Sequence, residues 1–279
     1  MAFTLATHLD AGRARTRHTL ARVLILLPPS EGKSTPRRGR ALDLTTLSTP
    51  ALTPHRERVI DALIALTQRP DAAAVLGLGG TQADLVDLDA RLLTAPTARA
   101  DAVYTGVLYD ALGFSTLSSA ARRRATSRVA ITSSVFGLVR PTDRIPAYRL
   151  AGDISLPGLG PVAGVWRACL GQAVQEEVGS GLLMDLRSTM YAAFWRPPAT
   201  GPLRVATVRV LHEVGGVRKV VSHFNKATKG RIVRDLLEDG ANPRSPQALA
   251  GALRDLGWTV ELHDDAARGA PLDVVVTEV

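Results

Sequence analysis

Four lysines stand out in this chain, because almost every other cation is an arginine. The sequence holds 4 lysines and 30 arginines, and three of the lysines, Lys219, Lys226 and Lys229, fall within eleven residues. Lysine offers a compact charge, a pKa that burial can lower, and an amine that can act as base or nucleophile, whereas arginine lacks the last two properties. The retained lysines therefore indicate a close phosphate contact or proton-transfer chemistry.

The segment SHFNKATKGR, residues 222–231, is the strongest candidate for such a site. Residues 204–234 contain eight Lys or Arg and a single acid, Glu213. A helix is predicted from Lys226 to Glu238, and cations in its first turn oppose the helix dipole by roughly 0.3–1 kcal/mol, which an anionic ligand would offset. The binding candidates in this segment are His223, Asn225, Lys226, Lys229 and Arg231.

A second candidate region follows a predicted buried strand, Arg22 to Leu27, where the polar loop SEGKS carries Lys33. Open α/β sheets place ligands just past the carboxyl ends of their strands. The proline-stiffened segment 135–150 and the end of a predicted strand at 182–186 add further cations that could contact phosphate, namely Arg140, Arg149 and Arg187. The candidates for catalysis are Lys33, Tyr104, Ser188, Tyr191 and Lys226.

The turn GLGG, residues 77–80, separates two apolar patterns of helical spacing and predicts a helix-hairpin-helix element. The backbone N–H groups of Gly77 and Gly79 and the following helix N-terminus could then face a phosphate. A tight turn between two packed helices fits the same pattern equally well. The turn does not match a dinucleotide fingerprint, because its third glycine is misplaced and no strand precedes it.

Composition predicts a globular protein, with 279 residues, 46% of them hydrophobic, and a formal charge of +8 that makes polyanions plausible partners. We expect one domain over residues 23–279, and an Arg-rich arm over residues 1–22 that is disordered or a mis-called start. The apolar runs are too short for a membrane span, and the single cysteine, Cys169, is expected in the core. Both observations favour a cytoplasmic protein without disulfides. No cofactor or metal motif is found, and the acids lack the Glu-x-x-His spacing of iron-storage sites.

Predicted strands and helices are interleaved in a way that favours an α+β or mixed α/β fold with a mixed sheet. A hairpin is predicted over Leu203–Leu211 and Val217–Phe224, and a helix over Pro161–Val178. Elsewhere the predicted helices are scattered among the strands and do not show the regular β-α-β order of a doubly wound sheet. A clean doubly wound sheet is therefore not expected.

Five segments, LLPPSEGKS, VYTGV, FGLVRPTDRIPAYRL, DLRSTMY and FNKATKGR, occur in this order and together resemble the YaaA family of peroxide-stress proteins. The resemblance runs from about Val23 to the C-terminus. It implies a compact mixed α/β domain with a basic cleft and a helix-hairpin-helix element, a link to limiting free iron and oxidative damage, and DNA binding. It also implies that the cleft is lined by Lys33, Tyr104, Arg140, Arg149, Ser188, Lys226, Lys229 and Arg231. Many relatives read ASxEY near residues 185–191, so Arg187 and Met190 are departures here.

Three functional hypotheses remain open. The first is a module that binds duplex or structured DNA, because aromatic residues for stacking on single strands make up only 4% of the chain. The second is an enzyme that acts on a nucleotide-like or other small phosphorylated substrate in the same cleft. The third is a structural role, with Arg140 and Arg149 pairing buried acids such as Asp143 or Asp185. Under the first two hypotheses, Lys33 should approach Lys226 across the cleft, and Arg140 or Arg149 should face it while anchored by a carboxylate or carbonyls.

Overall fold

A computed structural model describes residues 22–82, 84–198, 201–263 and 270–277. The predicted arm lies outside these residues, apart from Arg22. The strands are β1 (Val23–Leu27), β2 (Ala98–Arg99), β3 (Val129–Ser133), β4 (Gly137–Val139), β5 (Arg144–Ile145), β6 (Ser155–Leu156), β7 (Gly160–Pro161), β8 (Leu182–Asp185), β9 (Arg204–Val214), β10 (Val217–Lys219), β11 (Thr259–Leu262) and β12 (Ala270–Val276).

The helices pack on both sides of the main sheet and fill the connections between its strands. They are α1 (Thr53–Thr67), α2 (Ala72–Val75), α3 (Asp84–Ala90), α4 (Ala100–Val103), α5 (Val107–Leu112), α6 (Ser119–Arg128), α7 (Val162–Arg167), α8 (Leu170–Val178), α9 (Thr189–Ala192), α10 (Ser222–Asp239) and α11 (Pro246–Asp255). Short 3-10 turns cover Leu44–Thr46, Pro50–Leu52, Gly80–Gln82 and Phe114–Thr116. In the described part of the chain, no helix is both long and apolar enough to cross a bilayer.

The main sheet has eight strands in the order β11-β12-β9-β8-β1-β3-β4, with β10 paired to β9. Strands β1, β3, β8, β9 and β12 run parallel, whereas β4, β10 and β11 are antiparallel to their neighbours. This arrangement confirms the mixed α/β class and the single domain with a mixed sheet. We call the side where the parallel strands end the carboxyl edge, and the side where they begin the amino edge.

The centre of the sheet is apolar because its strands are covered by helices on both faces. The sequence VLILL of β1 is buried at every position, and so is VAITS of β3. Strand β1 lies between β3 and β8, so the chain leaves it towards one side and later returns on the other. Open sheets bind ligands at the carboxyl edge of such a topological switch point.

Three element boundaries differ from the sequence prediction. The strand predicted over Val217–Phe224 ends at Lys219, and α10 begins at Ser222 rather than Lys226. Residues 217–219 pair with the end of β9, and the β-branched Val220 and Val221 that favoured a longer strand are instead exposed. The helix predicted over Pro161–Val178 is interrupted after Arg167, and Cys169 is half-buried against the core.

Candidate functional site at the carboxyl edge

The loop after β1, residues 28–33, is pinned to the segment that precedes α5. Lys33 forms an isolated antiparallel bridge with Tyr104, and the Ser30 hydroxyl accepts a hydrogen bond from the Thr105 N–H at 3.1 Å. The Tyr109 hydroxyl donates to the Pro28 carbonyl at 2.7 Å. Pro28 and Pro29 end the strand, since proline cannot donate to a sheet ladder. The side chain of Lys33 is therefore held at the switch point of the sheet.

Lys33 is a half-buried amine among aromatic rings. Its Nζ donates to the Ser30 carbonyl at 2.8 Å and lies 4.1 Å from the centroid of the Tyr148 ring and 5.7 Å from that of Tyr104. Burial lowers the pKa of the ammonium from 10.5 to about 8, and the charge of Glu31 opposes this shift. The ring faces favour the charged form by a cation–π interaction. A considerable fraction of Lys33 is therefore neutral at mildly alkaline pH.

Three hydroxyl groups form a buried chain beside this amine. The Tyr104 and Tyr148 hydroxyls lie 3.0 Å apart, and the Tyr148 hydroxyl lies 2.9 Å from the Ser133 Oγ at the end of β3. Burial raises the pKa of Tyr148 to about 12 and that of Tyr104 well above 10. Both phenols are therefore neutral at physiological pH and act as hydrogen-bond donors and acceptors.

Asp89 reaches the same site from α3. Its Oδ1 accepts a hydrogen bond from the Arg149 N–H at 2.8 Å, and its Oδ2 is buried without a hydrogen-bond partner among the described residues. Burial raises the pKa of this carboxyl to about 7, opposed by the Arg149 N–H and the charges of Lys33 and Arg149. The Arg149 guanidinium forms an ion pair with Glu31 in the loop after β1. Asp89 and Lys33 thus both change protonation near neutral pH within one network.

Lys229 approaches the carboxyl edge from α10, beside the end of β8. Its Nζ donates to the Leu186 carbonyl at 2.9 Å, and burial lowers its pKa to about 8, opposed by the charge of Asp185. The neighbouring Gly230 lets α10 pack closely on α5, because a Cβ atom there would lie 2.2 Å from the Leu108 carbonyl oxygen. The KGR sequence therefore combines a helix contact with the placement of an amine.

The structure gathers some of the predicted residues at this edge and separates others. Lys33, Tyr104, Arg149 and Lys229 lie at the carboxyl edge, as the preceding contacts show. Lys226 and Arg231 are exposed on α10, and the Asn225 Oδ1 is buried without a described hydrogen-bond partner. Ser188 is exposed after β8, whereas Tyr191 is buried. The side chain of His223 lies outside the described residues, and the spacing of Lys33 and Lys226 stays a prediction.

Two of the predicted arginines are engaged in structural contacts. Arg187 is buried, bonds both oxygens of Asp185 at 3.0 and 2.8 Å, and donates to the Tyr191 and Trp195 carbonyls. Arg140 lies at the amino edge, where it pairs with Glu177 and donates to the Val129 carbonyl at 3.0 Å. Neither guanidinium is placed to contact a ligand beside Lys33.

The glycine turn lies between two short helices. Gly77 has φ 64°, a value that favours glycine, and a Cβ atom at Gly77 or Gly79 would meet no atom within 4 Å. The turn precedes α3, which carries Asp89 into the site. Its open surroundings leave room for a ligand, and phosphate binding by Gly77 and Gly79 stays a prediction.

Sequence reasoning missed Asp89, Tyr148 and Ser133. Ser133 could have been noticed as a polar residue at the end of an apolar strand, in the motif ITSS. Tyr148 is next to the candidate Arg149, in a segment where the arginines gave the stronger signal. Asp89 had no distinguishing signal among the acids of DLVDLDAR, because its burial comes from long-range packing.

The fold and this site together define a mixed α/β protein with half-buried lysines at the carboxyl edge of its sheet. Residues 23–262 match the family model described as peroxide stress protein YaaA. A UPF0246 protein of Streptomyces coelicolor is 49% identical over 261 residues, which cover 92% of this chain and 100% of that protein. A UPF0246 protein of Corynebacterium efficiens is 40% identical, covering 87% of this chain and 96% of its own length. The chain belongs to the YaaA peroxide stress protein family.

Proposed function

We propose that this protein binds a phosphate-bearing ligand, with DNA as the first candidate, at the carboxyl edge of its sheet. The observation that carries the proposal is the pair of lysines, Lys33 and Lys229. Their ammonium groups donate to main-chain carbonyls, and burial lowers the pKa of each to about 8. A phosphate group would favour the charged form of both amines and so offset their desolvation.

DNA fits this proposal because a further cation lies one turn before Lys229 on the same side of α10. This cation, Lys226, is exposed, whereas the exposed Arg231 lies on nearly the opposite side of the helix. A phosphodiester backbone could pass from Lys226 at the surface towards the half-buried amine of Lys229. If residues 72–90 act as a helix-hairpin-helix element, the main-chain N–H groups of its turn would contact the same ligand.

A second candidate function is catalysis on a nucleoside, a nucleotide or another small phosphorylated substrate. It is favoured by the presence of Asp89, with a pKa of about 7, and Lys33, with a pKa of about 8, beside a chain of three hydroxyls. Groups that titrate near the working pH are suited to general acid–base catalysis. In this role Lys33 would act as the base and the Tyr104–Tyr148 pair would hold a substrate oxygen.

The two functions are separated by a titration of the full chain with a short DNA duplex, a single-stranded oligonucleotide and nucleotides at several salt concentrations. Binding of the duplex should weaken about a thousandfold between 50 and 200 mM salt if about six phosphates are contacted. A pocket for one small substrate should select one nucleotide and respond weakly to salt. Absence of binding by every probe at 50 mM salt would contradict both functions.

Substitutions then locate the interaction. K33M and K229M should each weaken binding of the ligand identified by the titration, and each lost phosphate contact should reduce the salt slope for DNA by about 1. R58M, which removes one exposed charge from α1, is the matched control. K226R keeps the charge at an exposed position and should leave duplex affinity within a few fold. Equal losses in R58M and the lysine variants would show that only net charge matters.

A further inference from the structure

A second concentration of positive charge lies at the amino edge of the sheet, away from Lys33 and Lys229. A cavity of about 310 Å³ opens there to solvent, lined by Arg22, Ala120, Arg123, Arg124, Ser127 and Arg128. Four of these six side chains are guanidinium groups, and none is a carboxylate. We call this cavity the arginine pocket.

The arginine pocket is formed by one face of α6 and the residue that precedes β1. Ala120, Arg123, Arg124, Ser127 and Arg128 recur at a spacing of three or four residues, which places them on one stripe of the helix. Like charges at this spacing destabilise a helix, so the cluster is not explained by helix stability. The proximity of Arg22 and Arg124 also contributes to a lowered pKa of Arg128, after the larger effect of burial.

Two of the arginines are held in place by the end of α10. Arg124 Nη1 donates to the Leu237 and Glu238 carbonyls at 2.7 and 3.1 Å, and Arg128 Nη1 donates to the Gly240 and Ala241 carbonyls at 3.2 and 2.7 Å. The carbonyls at a helix C-terminus attract cations. Each guanidinium has five N–H donors, so these bonds orient the groups and leave donors for a ligand.

The other two arginines have no such anchor. The guanidinium groups of Arg22 and Arg123 donate no hydrogen bond to a described residue, and Arg123 is exposed. The carboxylates at the end of α10 accept hydrogen bonds from main-chain N–H groups, Glu238 from that of Ser118 and Asp239 from that of Ala241. Among the described residues, none of the four guanidinium groups forms an ion pair with a carboxylate. The pKa of Glu238 is lowered first by the Ser118 hydrogen bonds, then by the charge of Arg234 and only after these by the charge of Arg124.

We propose that the arginine pocket binds a small anion with two or more linked phosphates, either as a free oligophosphate or as the oligophosphate group of a nucleotide. The planar fork of a guanidinium matches the oxygens of phosphate and favours it over monovalent anions. A volume of about 310 Å³ is at the lower end of the range of ligand pockets, which suits a compact anion. Anchored Arg124 and Arg128 would supply fixed contacts, and Arg22 and Arg123 would close on the ligand.

The test is isothermal titration of the full chain with pyrophosphate, tripolyphosphate, ADP and ATP at constant ionic strength, with sulfate as a monomeric anion. Tripolyphosphate should bind at least tenfold more tightly than sulfate. R22Q/R123Q should weaken tripolyphosphate binding about tenfold or more, because two charged contacts are lost. The side chains of Arg22 and Arg123 donate no hydrogen bond to a described residue, and the Arg22 carbonyl that accepts from the Leu182 N–H is kept in the variant, so the folded state should be retained. The nucleotides distinguish the two sources, since equal affinity for ATP and tripolyphosphate would assign recognition to the phosphates alone.

The matched control is R37Q/R58Q, which removes the same charge from exposed positions outside the pocket whose side chains donate no hydrogen bond to a described residue. It should change the affinity less than twofold. Equal weakening in both double variants, or equal weakening in K33M/K229M, would overturn the assignment to this pocket. Binding no tighter than that of sulfate would overturn the proposed chemistry.

Discussion

The two edges of the sheet use cations in different ways. At the carboxyl edge, Lys33 and Lys229 are amines whose pKa burial lowers to about 8. At the amino edge, Arg124, Arg128 and Arg140 are guanidinium groups oriented by main-chain carbonyls. A guanidinium stays charged in a protein and fixes several partners at once, whereas an amine can lose its proton. The comparison shows that two of the four lysines in this arginine-rich chain lie where burial allows the charge itself to vary.

The largest expected effect comes from a buried arginine that holds structure. R187M leaves Asp185 buried without its bidentate partner and removes two bonds to main-chain carbonyls. We expect the free energy of unfolding to fall by roughly 3–5 kcal/mol, measured by urea denaturation. R218M, which breaks exposed ion pairs with Glu213 and Glu261, should cost less than about 1 kcal/mol. Similar losses in the two variants would mean that Arg187 is not a structural cation.

The variable charge of the lysines should appear as a pH dependence of stability. The folded-state pKa of Lys33 and of Lys229 is about 8, below the ordinary value of 10.5. Between these values the unfolded chain binds more protons, so stability rises with pH. From pH 8 to 9.5 the wild type should gain about 3 kcal/mol relative to K33M/K229M, because two groups contribute. Parallel urea-derived stability curves for the two proteins would refute the lowered pKa values.

Asp89 should have the opposite dependence in a lower pH range. Its folded-state pKa is raised from 3.8 to about 7, so the folded chain binds the additional proton between these values and stability falls as pH rises. D89N removes this titration and keeps an acceptor for the Arg149 N–H. Relative to the wild type, D89N should gain about 3 kcal/mol from pH 4.5 to 7.5. D84N, at another acid of α3, is the control and should show no such gain.

The smallest expected effect concerns the buried hydroxyl chain. Y104F removes one partner of the Tyr148 hydroxyl, which keeps its contact with Ser133. We expect a loss of about 0.5–1.5 kcal/mol in urea denaturation, the usual net value of one hydrogen bond. S133A should behave differently, because its Oγ also accepts from the Phe136 N–H at 3.0 Å, and a larger loss is expected there. A larger loss in Y104F than in S133A would contradict this description of the chain.

The sequence was most informative where a local pattern decides the structure. The apolar run of β1, stopped by Pro28, fixed the position of the Lys33 loop, and the cation pattern around Lys229 located the basic part of α10. The edge at which Arg140 lies could not be predicted, because β4 reverses the chain after β3 and carries Arg140 back to the amino edge. Asp89 was missed since its burial depends on residues distant in the chain, notably Arg149.

Helix α10 runs from the carboxyl edge of the sheet to the amino edge. Its 18 residues span about 27 Å. It is held in its middle by Lys229 on the Leu186 carbonyl and by the close approach of Gly230 to α5, and at its C-terminal end by Arg124 and Arg128. One helix therefore carries both the half-buried amine of the carboxyl edge and the main-chain carbonyls that orient Arg124 and Arg128 at the amino edge.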